Sequence, residues 1–171
     1  MSTDTKIRAW IVLFIIGLAV SGLTAFPLEP ELRLVSAVLH ATPAPTIAPD
    51  FVWWIDHVRD ALIDTNNKYP FMAYGTDWLA FAHVMIAIVF VGPLRDPIRN
   101  IWVIQFGMIA CACVIPATLI TGAVRGIPIV WQLIDMSFGV FGIIPLLIVY
   151  RVIRKLEREK ATTADLVAAW S

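Results

Sequence analysis

The stretch IWVIQFGMIACACVIPATLITG, residues 101–122, decides the fold class of this chain. It is apolar and free of charge over its whole length, and about 20 such residues are enough for an α-helix to cross the hydrocarbon layer of a bilayer. A segment in lipid must satisfy its own backbone hydrogen bonds, which a helix does. Three further apolar runs have the same character, at residues 10–26, 78–94 and about 127–150. The sequence therefore predicts an all-α integral membrane bundle of four transmembrane helices.

Composition agrees with a single membrane domain, residues 1–160, followed by a short cytoplasmic tail, residues 161–171. The chain has 171 residues, 59% of them hydrophobic, and its formal net charge is zero. This balance gives no indication of a nucleic-acid partner. Cys111 and Cys113 are the two cysteines, and residues two apart on a helix point about 200° apart, so they do not form one metal site.

The orientation follows from lysine and arginine, which collect on the cytoplasmic side of membrane proteins. One side holds Lys6 and Arg8, the turn at residues 95–100, and the basic run at residues 151–160. The segment at residues 27–76 carries mainly acidic side chains. We therefore expect a protein of a bacterial inner membrane with both termini cytoplasmic and residues 27–76 outside. Residues 1–25 also resemble a cleavable signal peptide, although Leu23 occupies a position where a small residue is preferred.

The outer segment is expected to form a helical cap. Pro27 should end the first span, and a short helix is predicted at Glu31–His40. Residues 41–49 contain three prolines and are predicted to be an extended linker. Asp50 is a suitable N-cap for a second helix at Phe51–Asp64.

That second helix is amphipathic. Its acidic face differs from the basic face usual in helices that lie freely on lipid, so packing on the span ends is favoured. Asp56 and Arg59 are expected on the polar face, away from the apolar contact. The predicted apolar face comprises Phe51, Trp54, Ile55, Val58 and Leu62.

Polar residues inside the spans are the candidate functional residues, because such residues are costly in lipid. Five of them should lie at a similar depth toward the outer leaflet, beneath a set of aromatic and basic residues from the outer segment and the loop before span four. The expected roof is Trp53, Trp54, Arg59 and Arg125. The expected pocket is His83, Thr118, Thr121, Gln132 and Asp135.

His83 and Asp135 each have more than one interpretation. His83 can be a hydrogen-bonded link between two spans, a proton-exchanging or ligand-binding group, or the single axial ligand of a haem or chlorophyll. Asp135 can form an ion pair with Arg125 or Arg59, act as partner of His83, or serve as an acid–base group.

Three functions remain open from the sequence. No catalytic motif occurs, and small residues line several spans, which favours a non-catalytic accessory or scaffold subunit of a larger membrane complex without a bound cofactor. Its partners would be lipids and other membrane subunits. A second hypothesis is a small enzyme or carrier that binds a quinone or polyprenyl lipid at His83 and Asp135. The third is a haem- or chlorophyll-binding subunit.

Overall fold

The computed structural model describes residues 3–169, which are almost entirely helical and contain no β-strand. Within that range the all-α prediction is confirmed. A 3-10 turn at Pro70–Ala73 separates α4 from α5. The α-helices are α1 Thr3–Thr24, α2 Leu28–His40, α3 Ala44–Ile47, α4 Pro49–Lys68, α5 Tyr74–Val89, α6 Val91–Arg95, α7 Ile101–Arg125 and α8 Ile129–Ala169.

Four stretches of the described chain are long and apolar enough to cross a membrane, as the sequence predicted. They are Thr5–Thr24, Pro70–Arg95, Ile101–Arg125 and Ile129–Glu159. Each contains or overlaps one of the four predicted runs, so the number and order of the spans are confirmed. The chain is therefore an all-α membrane protein.

The helices are longer than the apolar runs. α8 continues through its basic residues to Ala169, so the expected boundary between residues 160 and 161 falls inside a helix. Arginine, lysine and glutamate are good helix formers, and ion pairs at helical spacing support this extension. Arg154 lies 3.0 Å from Glu157, and Lys155 lies 3.8 Å from Glu159.

The second span is interrupted, which the sequence analysis did not anticipate. α5 ends at Val89 and α6 begins at Val91, with the side chain of Phe90 fully buried between them. Pro93 follows, and a proline has no N–H to donate to the carbonyl four residues earlier, here that of Val89. The missing hydrogen bond accounts for the break.

The chain forms two compact units. The first contains α6, α7 and α8 with the N-terminal part of α1, up to Gly17. α7 and α8 are its main contact. A Cβ atom added to Gly139 would lie 2.5 Å from the carbonyl oxygen of Cys111, so the two backbones approach closely. The buried apolar core of this unit includes Ile7, Ile11, Ala87, Phe90, Val103, Ile104, Cys111, Leu146, Val149 and Ile153.

A tight turn joins α7 to α8. Gly126 has a φ of 66°, the left-handed conformation that glycine adopts without strain. The backbone N–H of Ile127 donates to the carbonyl of Gly122 at 2.9 Å, which closes the end of α7. This turn places the start of α8 directly beside the end of α7.

The second unit, Leu18–Ile86, contains the outer segment. The helix predicted at Glu31–His40 is present and begins three residues earlier, at Leu28, because a proline such as Pro30 is tolerated in a helix's first turn. The extended linker is wrong in part: a single helical turn, Ala44–Ile47, occupies its centre. Proline at the start of that turn has φ already near the helical value.

The predicted cap of α4 is also wrong. Ala48 is the N-cap residue, and Pro49 and Asp50 form the first turn. A carboxylate there still interacts favourably with the positive end of the helix. Val52 and Ile55 are the buried residues of α4, so the buried face is rotated relative to the predicted one, which included Ile55 and omitted Val52.

Candidate functional site

His83 lies in α5 and is half-buried. Its Nδ1 lies 2.8 Å from the carbonyl oxygen of Leu79. A carbonyl oxygen only accepts, so Nδ1 carries the proton and donates, and in the neutral ring Nε2 keeps its lone pair. A Cβ atom on Gly22 would lie 2.8 Å from the Cβ of His83. The absence of a side chain at Gly22 is therefore what allows α1 to pass next to His83.

Asp135 lies in the second turn of α8 and is half-buried. The expected ion pair with Arg125 does not form among the described residues: Arg125 is exposed at the end of α7, and Asp135 has no hydrogen bond or ion pair to any of them. Arg59 pairs instead with Asp56 and Asp60, at 2.9 and 2.8 Å. The expected ion pair between Asp135 and Arg125 is thus wrong, and the alternative pair with Arg59, which belongs to the other unit, stays a prediction. Arg125 projects from the exposed end of α7, and Arg59 bonds carboxylates of its own helix.

Two other polar residues of the spans, Thr121 and Gln132, form local hydrogen bonds. Thr121 donates to the carbonyl of Ala117 at 2.7 Å, one helical turn earlier. Gln132 is buried, and its Nε2 donates to the carbonyl of Ile127 at 2.7 Å. Its side chain covers Gly122, where an added Cβ would lie 2.4 Å from the Gln132 Cδ. Thr118 is half-buried in α7.

The proposed pocket is divided between the two units. His83 belongs to Leu18–Ile86, and Thr118, Thr121, Gln132 and Asp135 belong to the other unit. Gln132 contacts the α7–α8 turn, and Thr121 bonds its own helix. Convergence of all five side chains stays a prediction.

Trp53 and Trp54 lie next to each other on α4 but in different surroundings. Trp53 is 61% exposed and stacks on His57, with ring centroids 5.0 Å apart and planes 12° apart. The indole Nε1 of Trp54 is buried and has no hydrogen-bond acceptor among the described residues. Leaving such a donor unpaired costs about 1–3 kcal/mol. The buried ring of Trp54 therefore stabilises α4 by packing, while its unpaired N–H group lowers that stabilisation.

The most connected polar cluster was missed by the sequence analysis. It consists of Ser36 and His40 on α2 with Asp56, Arg59 and Asp60 on α4. The buried hydroxyl of Ser36 donates to Asp56 Oδ1 at 2.6 Å and accepts from Arg59 Nη1. His40 Nε2 lies 2.8 Å from Asp56 Oδ2. Asp56 and Arg59 thus face α2, contrary to the expectation that they point away from the contact.

A second polar contact joins the same helices. Glu29 accepts hydrogen bonds from Asn66 on α4 at 2.6 Å and from Arg33 Nη2 on its own helix at 2.8 Å. The bond from Asn66, followed by that from Arg33, lowers the pKa of Glu29 below its ordinary value. Similarly, the bond from Ser36, followed by that from His40, lowers the pKa of Asp56. Both carboxylates stay ionised at neutral pH.

The arrangement of Ser36, His40 and Asp56 is not that of an activated nucleophile. In a serine triad the histidine lies between the serine and the aspartate, where it can take the hydroxyl proton. Here the carboxylate of Asp56 lies between Ser36 and His40. The spacing of Ser36 and His40, four residues apart on α2, was the sequence signal that could have revealed this polar contact face.

The described residues contain no group of three or more potential metal ligands. Cys111 is buried and Cys113 is exposed, so the two thiols point in different directions as predicted from their spacing.

No protein-family model matches this chain, and no curated protein or solved structure matches it either.

Proposed function

We propose that this chain is a non-catalytic subunit of a larger membrane protein assembly. The observation that carries the proposal is a stripe of exposed small residues along α7. Their spacing of three and four places them on one side of the helix. They are Ala110, Cys113, Ala117 and Thr121.

Such a stripe is suited to a second protein more than to lipid. Small side chains let helix backbones approach closely, and close packing is the main source of helix association in a bilayer. The chain itself uses this principle at Gly139, whose missing Cβ lets α8 approach Cys111, about 120° around α7 from Ala117. The exposed stripe offers the same kind of surface to a helix from another subunit.

The polar residues of the spans support the same proposal. Thr121 and Gln132 bond backbone carbonyls within their own helix or turn, which is a structural use of these side chains. Ser36 and Asp56 hold α2 to α4. Within the described chain Thr121 and Gln132 contact no base, and the carboxylate that accepts the hydrogen bond of the Ser36 hydroxyl has a lowered pKa, which makes Asp56 a weak base.

The test compares two alanines of α7. Ala117 lies in the small-residue stripe, and Ala112 is also exposed but lies about 140° away around the helix. Tagged chains would be extracted from native membranes in a mild detergent, and copurifying proteins quantified by mass spectrometry. We expect Ala117→Phe to lose a partner that the unmodified chain and Ala112→Phe both retain. Copurification of no protein with the unmodified chain, or equal capture by both variants, would refute the proposal.

The proposal includes a location: a bacterial-type inner membrane, with both termini in the cytoplasm and residues 27–76 outside. The distribution of lysine and arginine supports it, and an even number of spans puts both termini on one side. A reporter enzyme active only outside the cytoplasm should work when fused after Asp64 and fail when fused after Ser171. The reverse result would invert the orientation.

His83 favours one alternative function. Its Nδ1–H bond to Leu79 leaves Nε2 as the ring atom that can bind a ligand, and ligating histidines often donate their other N–H to a backbone carbonyl. A quinone carbonyl would require a protonated Nε2, so this tautomer favours an axial bond to haem iron or chlorophyll magnesium. An absorption spectrum of the native complex decides: bands that disappear in His83→Gln support a pigment, and a featureless visible region excludes it.

A further inference from the structure

Most polar side chains of α2 lie on the side that contacts α4, unlike those of a surface helix on a water-soluble protein. On this side Glu29 bonds Asn66, and Ser36 and His40 bond Asp56, beside the buried side chain of Leu32. Helices usually bury their apolar stripe and expose the charged one. In α2 the side chains of Glu29, Ser36 and His40 face the neighbouring helix, while Glu31 does not.

The opposite face of α2 is apolar and exposed. Leu34 is 66% exposed, Val38 54% and Val35 40%. Leu34 and Val38 are one helical turn apart, and Pro30, Ala37 and Ala41 extend the same side. We define this surface as the Leu34 face: Pro30, Leu34, Val35, Ala37, Val38 and Ala41, with the carboxylate of Glu31 beside it in the first turn of the helix. An exposed, mainly apolar face of this kind marks contact with lipid or with another protein.

The chain connection favours lipid. α1 is a membrane-length helix that ends at Thr24, and α2 begins at Leu28. Four Cα steps cover at most about 14 Å, and the backbone is tighter than that because Ala25 N–H bonds the carbonyl of Gly22 at 3.1 Å. α2 therefore starts at the edge of the hydrocarbon layer, where an exposed apolar face meets acyl chains first.

The return of the chain to the membrane shows the same pattern. Phe71 and Met72, in the 3-10 turn just before α5, are 70% and 58% exposed. They lie at the start of the second span, Pro70–Arg95. Both ends of the outer segment thus present apolar side chains where a span begins or ends. The exposed side chains in the middle of α4 include the carboxylates of Asp60 and Asp64.

We infer that α2 lies along the membrane interface next to the end of α1, with the Leu34 face inserted among the lipid acyl chains and its polar face bound to α4. The α2–α4 pair is then a lipid-attached platform, held to the membrane by α2 while the acidic side chains of α4 remain in water. This inference does not depend on the proposed subunit function.

The charge pattern also defines the lipid requirement. Interfacial helices commonly use lysine and arginine to attract anionic headgroups. In α2 the only basic residues are Arg33, which pairs with Glu29, and His40, which contacts Asp56. Insertion of α2 should therefore depend on apolar contact and be equal in zwitterionic and anionic membranes.

The experiment uses spin labels on the full-length protein with Cys111 and Cys113 replaced by alanine. Single cysteines are placed at Leu34, at Val38 and, as a control, at Asp64. The control is matched in exposure, since Leu34 is 66% exposed and the Asp64 side chain 64%. The protein is reconstituted into phosphatidylcholine vesicles with and without phosphatidylglycerol, and label collision with oxygen and with a water-soluble nickel complex is measured.

We expect the labels at Leu34 and Val38 to collide more with oxygen than with nickel, and the label at Asp64 to show the reverse, with no change on adding phosphatidylglycerol. Nickel access at Leu34 and Val38 equal to that at Asp64 would place the face in water and overturn the inference. Low access to both reagents at Leu34 and Val38 would show that protein covers the face, and would also overturn it. A depth that changes with phosphatidylglycerol would refute the apolar mechanism.

Discussion

Replacement of Gly139 by alanine tests how closely α7 and α8 pack. The added methyl carbon would lie 2.5 Å from the carbonyl oxygen of Cys111 and 3.1 Å from the Cβ of Val114. Ordinary contact begins at 3.4 Å, so the helices must separate by close to one ångström at this point. The oxygen belongs to the backbone of α7, so no side-chain rotation can relieve the contact.

The expected magnitude combines two opposing effects. Insertion of a methyl group into a well-packed contact costs about 1–3 kcal/mol, and a rigid backbone neighbour favours the upper half of that range. Alanine is better than glycine in a helix by about 0.8–1.0 kcal/mol. The net expectation is a loss of about 1–2 kcal/mol in the free energy of unfolding.

Gly17→Ala is the matched control. Gly17 is also inside a membrane-length helix, and a Cβ atom added there meets nothing within 4 Å. Only the helix-propensity effect remains, so Gly17→Ala should leave stability unchanged or raise it by up to about 1 kcal/mol.

The assay is unfolding in mixed micelles by titration with sodium dodecyl sulfate, followed by far-ultraviolet circular dichroism. The two variants should shift the midpoint in opposite directions, or Gly139→Ala alone should lower it. Equal or greater stability of Gly139→Ala relative to the unmodified protein would show that α7 and α8 do not approach as closely as the structure has them.

Three further predictions concern the α2–α4 pair. The pKa of Asp56 in the folded protein lies below its ordinary value of 3.8. Its contribution to stability is therefore present above pH 3.8 and is lost as the pH falls through the folded pKa. Asp56→Asn should reduce this acid sensitivity in thermal unfolding, and an unchanged pH profile would contradict the lowered pKa of Asp56. Ser36→Ala should lower the free energy of unfolding by about 1–2 kcal/mol, because it removes a buried hydroxyl that bonds two charged groups. The same variant should raise the pKa of Asp56, which can be measured by carboxyl nuclear magnetic resonance. Trp54→Phe keeps most of the buried ring and removes the unpaired N–H. The free energy of unfolding should therefore stay equal or rise in the same thermal assay. A loss above about 1 kcal/mol would mean that the N–H has an acceptor in the folded protein.

Some features of the candidate site could be read from the sequence and others could not. The opposite directions of Cys111 and Cys113 follow from helix geometry alone. The local bond of Thr121 to Ala117 was also accessible, since threonine in a helix commonly bonds the carbonyl four residues earlier. The lack of an ion pair between Asp135 and Arg125 could not be predicted, because the sequence contains no information on the distance between the two side chains.

What the sequence alone determined is the number, order and approximate limits of the four membrane spans. Transfer of each residue from water to hydrocarbon is a local free energy, and it adds along a run such as residues 101–122 without reference to any partner. The same local terms explain why α8 continues as a helix beyond its apolar run.

The tertiary structure determined which face of each helix contacts a neighbouring helix and which face is exposed. The sequence predicted that Asp56 and Arg59 lie on a solvated polar face of α4. In the structure Ser36 and His40, some 20 residues earlier in the chain, lie opposite them. A polar side chain has a low free energy either in water or bonded to another polar group, so composition does not distinguish the two. Only the position of α2 beside α4 makes that choice, and the same position leaves Leu34 and Val38 facing outward.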